Sequence, residues 1–215
     1  MAVLGNRQTL RFAEVPIILH PVKPLRQNTM SLQPPICIES KRLVIRVVGE
    51  ADLTDLLSIN EDDEVTKYLP YESWQSLEVG MAWLERMKRI EDSGTGTQLV
   101  VLEKASGRVI GTCLLFRHDE ASARAELGYV LGRKHWGQGY MFEALSALIP
   151  HVFNVHALRR LEAEVNPLNV PSCRLLERLG FTNEGLLRKR WLAKGAAYDT
   201  KFYGLLREEW PSSQA

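Results

Sequence analysis

The sequence predicts one α+β domain (mixed α/β), with a mixed central β-sheet and helices on both of its faces. Short apolar and β-branched runs alternate with segments in which apolar residues recur every three or four positions. The order of these segments is β-α-α-β-β-β-α-β-α-β-β, which is typical of helices packed on a mixed sheet. A length of 215 residues suits a single domain rather than two separate cores.

We expect residues 1–38 to form an extended N-terminal arm or extension, and residues 39–215 to form the domain. The first segment is rich in proline and shows neither a helical nor a strand period. Met30 leaves open a second natural start, with the residues before it as an upstream extension.

The first regular elements are a strand over residues 43–48 and a short helix that begins at Asp52. A second helix ends at the turn-rich residues 92–96. Its apolar stripe consists of Val79, Trp83, Met87 and Ile90.

Three strands should then form an antiparallel meander. They cover residues 98–103, 109–116 and 125–131, and the first two are joined by a hairpin-like turn at residues 104–108.

A third helix follows Gly139, but Pro150 should kink or end it, because proline removes a hydrogen-bond donor and crowds the preceding turn. The remaining elements are a strand over 158–165, a helix over 170–179 and two strands at 186–192 and 200–206. Gly180 is placed to cap the helix before it in the left-handed conformation.

The composition excludes several classes of protein. A formal charge of +1, from 27 basic and 26 acidic residues, provides no global field for nucleic acid or an anionic membrane. The isolated Cys37, Cys113 and Cys173 indicate neither a disulfide framework nor a metal site, and suit a reducing cytoplasm. No apolar run approaches the roughly 18 residues of a membrane span, and no signal peptide is evident.

Gly137-Gln138-Gly139 is the motif that indicates chemistry. It lies between a strand and a helix, where glycine lets backbone N–H groups approach a phosphate. Arg133, Lys134 and His135 add positive charge, so an anionic ligand is expected. A bare GxG is more often a structural turn. A dinucleotide site is disfavoured, because Phe142 stands where a third glycine is needed and a meander precedes the turn.

Three blocks resemble the acetyl-CoA site of the GNAT N-acetyltransferase family, particularly its Rim-type branch, which acetylates the N-termini of ribosomal proteins. They are Glu126-Leu-Gly-Tyr129, residues 135–144 and the series Asn166, Asn169, Ser172, Gly180-Phe181. The family signature begins with Gln or Arg where this chain has Lys134. Backbone amides make most contacts in such loops, so the change should be tolerated.

The resemblance implies acetyl-CoA as the acyl donor and an enzyme of class EC 2.3.1. The exposed backbone around Tyr129, Val130 and Leu131 should bind the pantetheine arm and the acetyl carbonyl. The remaining cofactor-binding positions implied are Arg133, Lys134, His135, Trp136, Gly137, Gln138, Gly139, Tyr140 and Asn169. For Tyr140 only the backbone is expected to take part, because its side chain suits the core.

Glu126 is the candidate general base, since alternation places it on the same strand face as Gly128 and Val130. A solvated carboxylate, with water as the base, is the alternative. Ser172 is the candidate proton donor to the thiolate, with Asn169 beside it as a further catalytic candidate. Either residue also suits a helix N-cap.

The expected function is transfer of an acetyl group to a primary amine, either a protein N-terminus or a small molecule, by direct attack in a ternary complex. The alternative is a noncatalytic acyl-CoA-binding regulatory module. The resemblance places the acceptor between residues 64–74, which are aromatic, and residues 188–200, which begin with a basic run. A homodimer is compatible with the family, and no partner specificity follows from the charge.

Overall fold

A computed structural model describes residues 36–210 of the chain. The strands in that range are β1 (Cys37–Glu39), β2 (Leu43–Val47), β3 (Thr97–Glu103), β4 (Val109–Asp119), β5 (Arg124–Leu131), β6 (Arg160–Val165), β7 (Thr182–Ala193) and β8 (Ala196–Leu206). The helices are α1 (Leu53–Asn60), α2 (Asp63–Thr66), α3 (Leu77–Asp92), α4 (Tyr140–Val155) and α5 (Val170–Arg178).

The strands form one sheet in the order β1-β2-β3-β4-β5-β6-β8-β7. All neighbouring strands are antiparallel except β5 and β6, which are parallel. This confirms the predicted mixed sheet and the antiparallel meander of β3, β4 and β5. The single parallel pair requires a crossover, and α4 provides it.

Each face of the sheet is covered by its own pair of helices. On one face α4 and α5 pack in a cluster with Leu99 and Val101 of β3. On the other face α1 and α3 pack in a second cluster with Val100. Adjacent residues of β3 thus serve opposite cores, as the alternation of side chains along a strand requires. The prediction of helices on both faces is confirmed.

Several boundaries differ from the sequence prediction. Strand β1 begins at Cys37, and the neighbouring Ile36 is only 2% exposed, so this part of the predicted arm packs with the domain. Residues 1–35 lie outside the described residues. The four-residue helix α2 was not predicted, because one turn is too short to show a period. Strands β7 and β8 also begin earlier than expected, since pairing between them rather than burial defines their length.

Of the two outcomes expected at Pro150, a kink or the end of the helix, the second was wrong, because α4 continues to Val155. Residues beyond the proline, including Val152 and Phe153, are buried against the sheet. Burial of each such side chain contributes about 1.5–3 kcal/mol, which together offsets the roughly 3 kcal/mol cost of an internal proline.

Gly180 caps α5 as predicted. Its φ is +90°, and the N–H of Phe181 donates to the carbonyl of Leu176 while that of Gly180 donates to Glu177. This pair of bonds is the Schellman arrangement, which terminates the helix and turns the chain into β7. None of the helices in residues 36–210 has the length and apolar character needed to cross a membrane.

Candidate active site

The two parallel strands at the centre of the sheet pair over only a short length. β5 and β6 are in register from Arg124 to Glu126, opposite Arg160 to Glu162. Beyond Glu126, no strand in residues 36–210 pairs with the edge of β5 that faces β6. Backbone N–H and C=O groups on such an edge need other partners. The resulting gap is where a ligand with amide groups can add to the sheet.

A cavity of about 1030 Å³ opens at this gap. Its walls include residues 127–131 of β5 and residues 163–165 of β6, together with the beginning of α4 and of α5. Residues 64–71 and parts of β7 and β8 close the opposite end. The structure therefore brings the predicted cofactor and acceptor regions to one cavity.

The glycine turn has the geometry that its sequence indicates. Gly137 and Gly139 have φ values of +72° and +76°, in the left-handed region that glycine adopts without a steric penalty. The N–H groups of Gly137, Gln138, Gly139 and Tyr140 donate to no other described residue. Because they stand at the N-terminus of α4, where the helix dipole is positive, they form a suitable cradle for an anion.

Ser40 and Arg42, in the segment between β1 and β2, connect that segment to the turn and to α4. Arg42 donates from Nη1 to the carbonyl of Gln138 at 3.1 Å and pairs through Nε with Glu143 of α4 at 2.6 Å. The same Glu143 carboxylate accepts from the hydroxyl of Ser40 and the N–H of Arg42. The segment between β1 and β2 is thus tied to both the turn and its helix.

The predicted residues of this loop divide into two groups. Trp136, Gly137, Gly139 and Tyr140 line the cavity, whereas Arg133, Lys134, His135 and Gln138 are not among its lining residues. Arg133 lies 3.8 Å from the Asp62 carboxylate, and the His135 ring packs edge-on against Tyr140.

Tyr140 and Trp136 also make contacts inside the fold. The Tyr140 side chain belongs to the core, and its hydroxyl donates to Glu103. The indole of Trp136 donates to the carbonyl of Leu131 at 2.7 Å. That carbonyl, one of the predicted pantetheine contacts, therefore already has a partner.

Glu126 lies where β5 and β6 separate, and its side chain is 6% exposed. Burial raises the pKa of this carboxyl to about 7, although Arg117 acts in the opposite direction. Its Oε2 accepts from Nη1 of Arg117 at 2.6 Å, while its Oε1 accepts from no described residue. A carboxylate with this pKa is half ionised at neutral pH and suited to proton transfer.

Glu164, on β6, lies beside Glu126 and was not predicted. Its side chain is 3% exposed, and it accepts from Arg117 at 3.1 Å and from the indole of Trp191 at 2.6 Å. Arg190 lies 3.4 Å away. Glu164 therefore connects β6 by hydrogen bonds to Arg117 of β4 and to Trp191 of β7.

Ser172 lies in the first turn of α5 and lines the cavity. Its Oγ is 2.7 Å from the hydroxyl of Tyr129, and either group can be the donor. Burial raises the pKa of Tyr129, so the phenol stays protonated. The N-cap role belongs to Asn169, whose Oδ1 accepts from the N–H of Ser172 at 3.3 Å. The Ser172 hydroxyl is therefore not used to cap the helix, and its hydrogen-bond partner is the hydroxyl of Tyr129.

Aromatic side chains line the far end of the cavity together with charged ones such as Glu64, Arg86 and Asp199. Tyr68, Tyr71, Trp191 and Tyr198 contribute to its walls. Trp74 does not, because its ring packs against Trp83 in the core beneath α3. Among the basic run of residues 188–190, none lines the cavity.

Two hydrogen bonds link the segments around this end. Lys194, at the tip of the β7–β8 hairpin, donates to the carbonyl of Thr66 at 2.9 Å. Tyr68 donates to the carbonyl of Leu168 at 3.2 Å. Residues 64–71 are thereby connected to the hairpin and to the loop before α5.

The two cysteines nearest the cavity are poorly suited to act as nucleophiles. Cys113 is fully buried, which raises the pKa of its thiol to about 12, and Cys173 is 4% exposed. Thiolates rather than thiols attack carbonyl groups. Within residues 36–210 no group of three or more His, Cys, Asp or Glu side chains is placed to hold a metal ion.

Sequence reasoning missed Arg117, Glu164, Arg42 and the phenol of Tyr129. A signal existed for Glu164, because Leu161, Ala163 and Val165 face the core and alternation then directs Glu164 to the side of Glu126. No comparable signal pointed to Arg42, which reaches the site from a distant segment. Arg117 lies only nine residues before Glu126 and follows Phe116, which pairs with Glu126, so the predicted meander already placed it nearby.

Known proteins of similar sequence and fold include acetyltransferases. The uncharacterized N-acetyltransferase p20 of Bacillus licheniformis is 36% identical over 171 residues, covering 80% of this chain and 96% of that protein. The ribosomal protein uS5-alanine N-acetyltransferase of Escherichia coli is 27% identical over 183 residues, covering 82% and 94%. RimJ of Mycobacterium smegmatis, solved in complex with CoA-disulfide, shares the fold with a TM-score of 0.74 at 23% identity, covering 84% and 90%.

The family assignment agrees with the geometry of the site. The model of the acetyltransferase (GNAT) domain matches residues 42–182, which include β5, the glycine turn, α4 and α5. Enzymes of this family are N-acetyltransferases that use acyl-CoA, and the resemblance seen in the sequence is confirmed. This chain belongs to the GNAT acetyltransferase family.

Proposed function

We propose that the protein transfers the acetyl group of acetyl-CoA to a primary amine by direct attack in a ternary complex. The observation that carries the proposal is the position of Glu126, with one carboxylate oxygen unpartnered and a pKa of about 7, beside the unpaired edge of β5. A base at that point meets an amine that approaches a carbonyl bound on the strand edge.

The residues present fit acetyl-CoA, which supplies the thioester whose acetyl group is transferred. The N–H groups of residues 137–140 lie at the N-terminal end of α4 and suit a pyrophosphate. The edge of β5 from residue 127 to residue 130 suits the amides of the pantetheine arm, and Asn169 lies at the cavity wall nearby.

Glu126 and Ser172 divide the proton transfers. The amine nitrogen forms a bond to the acetyl carbon, and Glu126 takes the proton that the nitrogen loses. The bond from carbon to sulfur breaks and its electron pair goes to the sulfur, which takes the proton of the Ser172 hydroxyl. Tyr129 donates a hydrogen bond to the serine oxygen, which regains a proton from solvent as Glu126 releases its own to solvent. The N-terminus of α5 stabilises negative charge at the sulfur. A covalent enzyme intermediate is not needed, consistent with the burial of Cys113.

The acceptor is a protein N-terminus or a small-molecule amine. The similarity to the uS5-alanine N-acetyltransferase supports the first choice. The aromatic walls formed by Tyr68, Tyr71 and Trp191 support an acceptor that places apolar groups next to its amine.

The test is an acceptor screen read by release of free CoA. Purified protein is supplied with acetyl-CoA and a panel that contains N-terminal peptides beside small amines such as polyamines. We expect CoA release with a subset of these amines, and mass spectrometry of the product should show one added acetyl group.

Binding is measured in parallel by calorimetry with CoA. If the protein binds CoA but produces no acetylated amine across the panel, the proposed activity is wrong and a noncatalytic CoA-binding module is favoured. If it binds neither CoA nor acetyl-CoA, the assignment of the glycine turn also fails.

A further inference from the structure

We propose that Arg117 is a positioning residue that acts through Glu126, holding one oxygen of its carboxylate so that the other faces the acceptor amine. The proposal rests on the proposed role of Glu126 as the base. Glu126 is a cavity-lining residue and Arg117 is not.

The backbone at Arg117 is unusual in a way that serves this role. The register of β4 against β5 shifts between Phe116 and Asp119, which marks an irregularity in the strand. Arg117 itself has a φ of +52°, a left-handed conformation that costs a non-glycine residue about 1–2 kcal/mol. Strain of this kind persists where the surrounding structure holds the residue, often beside a functional group.

The Arg117 side chain, which is 44% exposed, connects two carboxylates. One nitrogen, Nη1, lies 2.6 Å from Oε2 of Glu126 and 3.1 Å from Oε1 of Glu164. Both carboxylates line the cavity, whereas Arg117 is not a cavity-lining residue. The guanidinium thus holds Oε2 of Glu126, while Oε1 accepts from no donor among the described residues.

Two aromatic rings lie beside the Arg117 guanidinium. It lies 5.5 Å from the ring centroid of Phe116 and 5.7 Å from that of Trp191. Trp191 in turn donates to Glu164 at 2.6 Å. Because the same cluster fixes Arg117 and Glu164, the orientation of Glu126 depends on β4, β6 and β7 together.

The charges around Glu126 show what Arg117 changes. From β4 it faces Arg117, and from β6 it faces Glu164 and Glu162. The Glu162 carboxylate is itself paired with Arg124 and Arg160, and Glu164 lies near Arg190 of β7. Burial and the two β6 carboxylates raise the pKa of Glu126, while Arg117 lowers it. Arg117 is therefore the cation that keeps this base partly ionised at neutral pH.

The experiment compares Arg117→Gln with Arg117→Lys in the full-length protein, using kcat/KM measured against pH. Loss of an opposite charge at this distance raises a carboxyl pKa by about 1–3 units. In Arg117→Gln the decrease of kcat/KM at low pH, the acidic limb of the profile, should therefore move to higher pH. At pH 7 kcat/KM should fall at least about fivefold, because a one-unit rise in the pKa leaves roughly a tenth of Glu126 ionised. Arg117→Lys keeps the charge and should keep the limb near its wild-type position.

Arg108→Gln is the matched control, since it removes the ion pair between Arg108, in the turn between β3 and β4, and Asp55 of α1. It should leave the pH profile unchanged, and all variants should bind CoA with the wild-type Kd. A purely structural role for Arg117 would lower the rate by one factor at every pH. That uniform loss, or an unmoved limb in Arg117→Gln, would overturn the proposal.

Two further measurements separate this inference from the role of Glu126. A ¹³C NMR titration of the Glu126 carboxyl reports its pKa directly, and it should rise in Arg117→Gln whether or not Glu126 is the base. In a Glu126→Gln background, Arg117→Gln should cause no further loss of kcat. If the wild-type acidic limb persists in Glu126→Gln while the NMR shift is seen, the base assignment fails and the action of Arg117 on the carboxyl stands.

Arg117→Met provides the same test if the glutamine variant unfolds. It removes the charge but keeps an apolar stem beside Trp191 and Phe116. An unchanged Glu126 titration in folded Arg117→Met contradicts the proposal.

Discussion

The cofactor half and the acceptor half of the cavity are built in different ways. The cofactor half, residues 126–143 with α5, presents mainly backbone groups: the edge of β5 and the N–H groups of the glycine turn. The proposed acceptor half, residues 64–71 with the β7–β8 hairpin, presents side chains such as Tyr68, Trp191 and Tyr198 from separate segments. Backbone recognition depends on local conformation, whereas side-chain recognition depends on which segments meet.

This difference predicts that changes in one half leave the other half functional. Substitutions in the glycine turn should alter the Kd for CoA without altering acceptor preference. Substitutions in the aromatic end should alter the KM for the acceptor without altering the Kd for CoA. Glu126 and Ser172 lie where the halves meet and should affect kcat.

The largest effect is expected at this junction, from Glu126→Gln. Loss of a positioned base lowers kcat by about 10²- to 10⁴-fold, while the Kd for CoA should not change. The pKa of Glu126 is about 7, so wild-type activity should fall as the pH drops through 7 and protonates the carboxylate. That limb should be absent in the variant.

Steady-state kinetics across pH and calorimetry with CoA check both parts. Glu85→Gln, on the exposed surface of α3, is the control and should behave like the wild type. A variant with wild-type kcat at neutral pH would show that the amine loses its proton by another route.

Ser172→Ala should lower kcat by about tenfold or more, toward the low end for a proton donor because thiolates leave readily. The KM for acetyl-CoA should change little. Tyr129→Phe removes the hydrogen-bond partner at 2.7 Å but keeps the serine hydroxyl, so its effect should be smaller. Equal losses in the two variants, measured by CoA release, would assign the donor role to the pair rather than to Ser172.

Gly139→Val should weaken CoA binding by about tenfold, because a left-handed φ costs a substituted residue about 1–2 kcal/mol and displaces the adjacent N–H groups. Gly107→Val is the matched control, since Gly107 has a φ of +67° in a hairpin turn and is not a cavity-lining residue. Both variants should lose thermal stability. Only Gly139→Val should raise the Kd in calorimetry, and a similar Kd for both would remove the turn from the cofactor site.

Tyr68→Phe should have the smallest effect, a roughly two- to fivefold rise in the KM for the acceptor. It removes one exposed hydrogen bond to the carbonyl of Leu168, worth at the low end of about 0.5–1.5 kcal/mol. Tyr198→Phe is the control in the same wall, since its hydroxyl makes no hydrogen bond to a described residue. A raised Kd for CoA in Tyr68→Phe would show that the halves are coupled.

The fold was largely predictable because its signals are periodic. The continuous apolar run of β3 and the apolar spacing of α3 and α4 indicated a buried strand with helices packed on both faces. Errors arose where tertiary contacts outweigh local preference. Pro150 is retained within α4 by the burial around it, and β1 is too short to show a period.

The sequence by itself determined the conformation of the glycine turn in the proposed cofactor half. Glycine at residues 137 and 139 sets the turn, and the strand before it and the helix after it direct the N–H groups to one point. These are local consequences of backbone sterics, which a sequence specifies directly. Glu126 and Ser172 could be proposed for the same reason, since each has a set position on its own element.

Only the tertiary structure decided how those groups are surrounded. Glu126 meets Arg117 and Glu164 because β4, β5 and β6 lie side by side, and Ser172 meets Tyr129 because α5 packs near the end of β5. The pKa of Glu126 depends on burial and on charges from residues distant in the chain. Electrostatic interactions depend on distance in space, and the fold alone sets those distances.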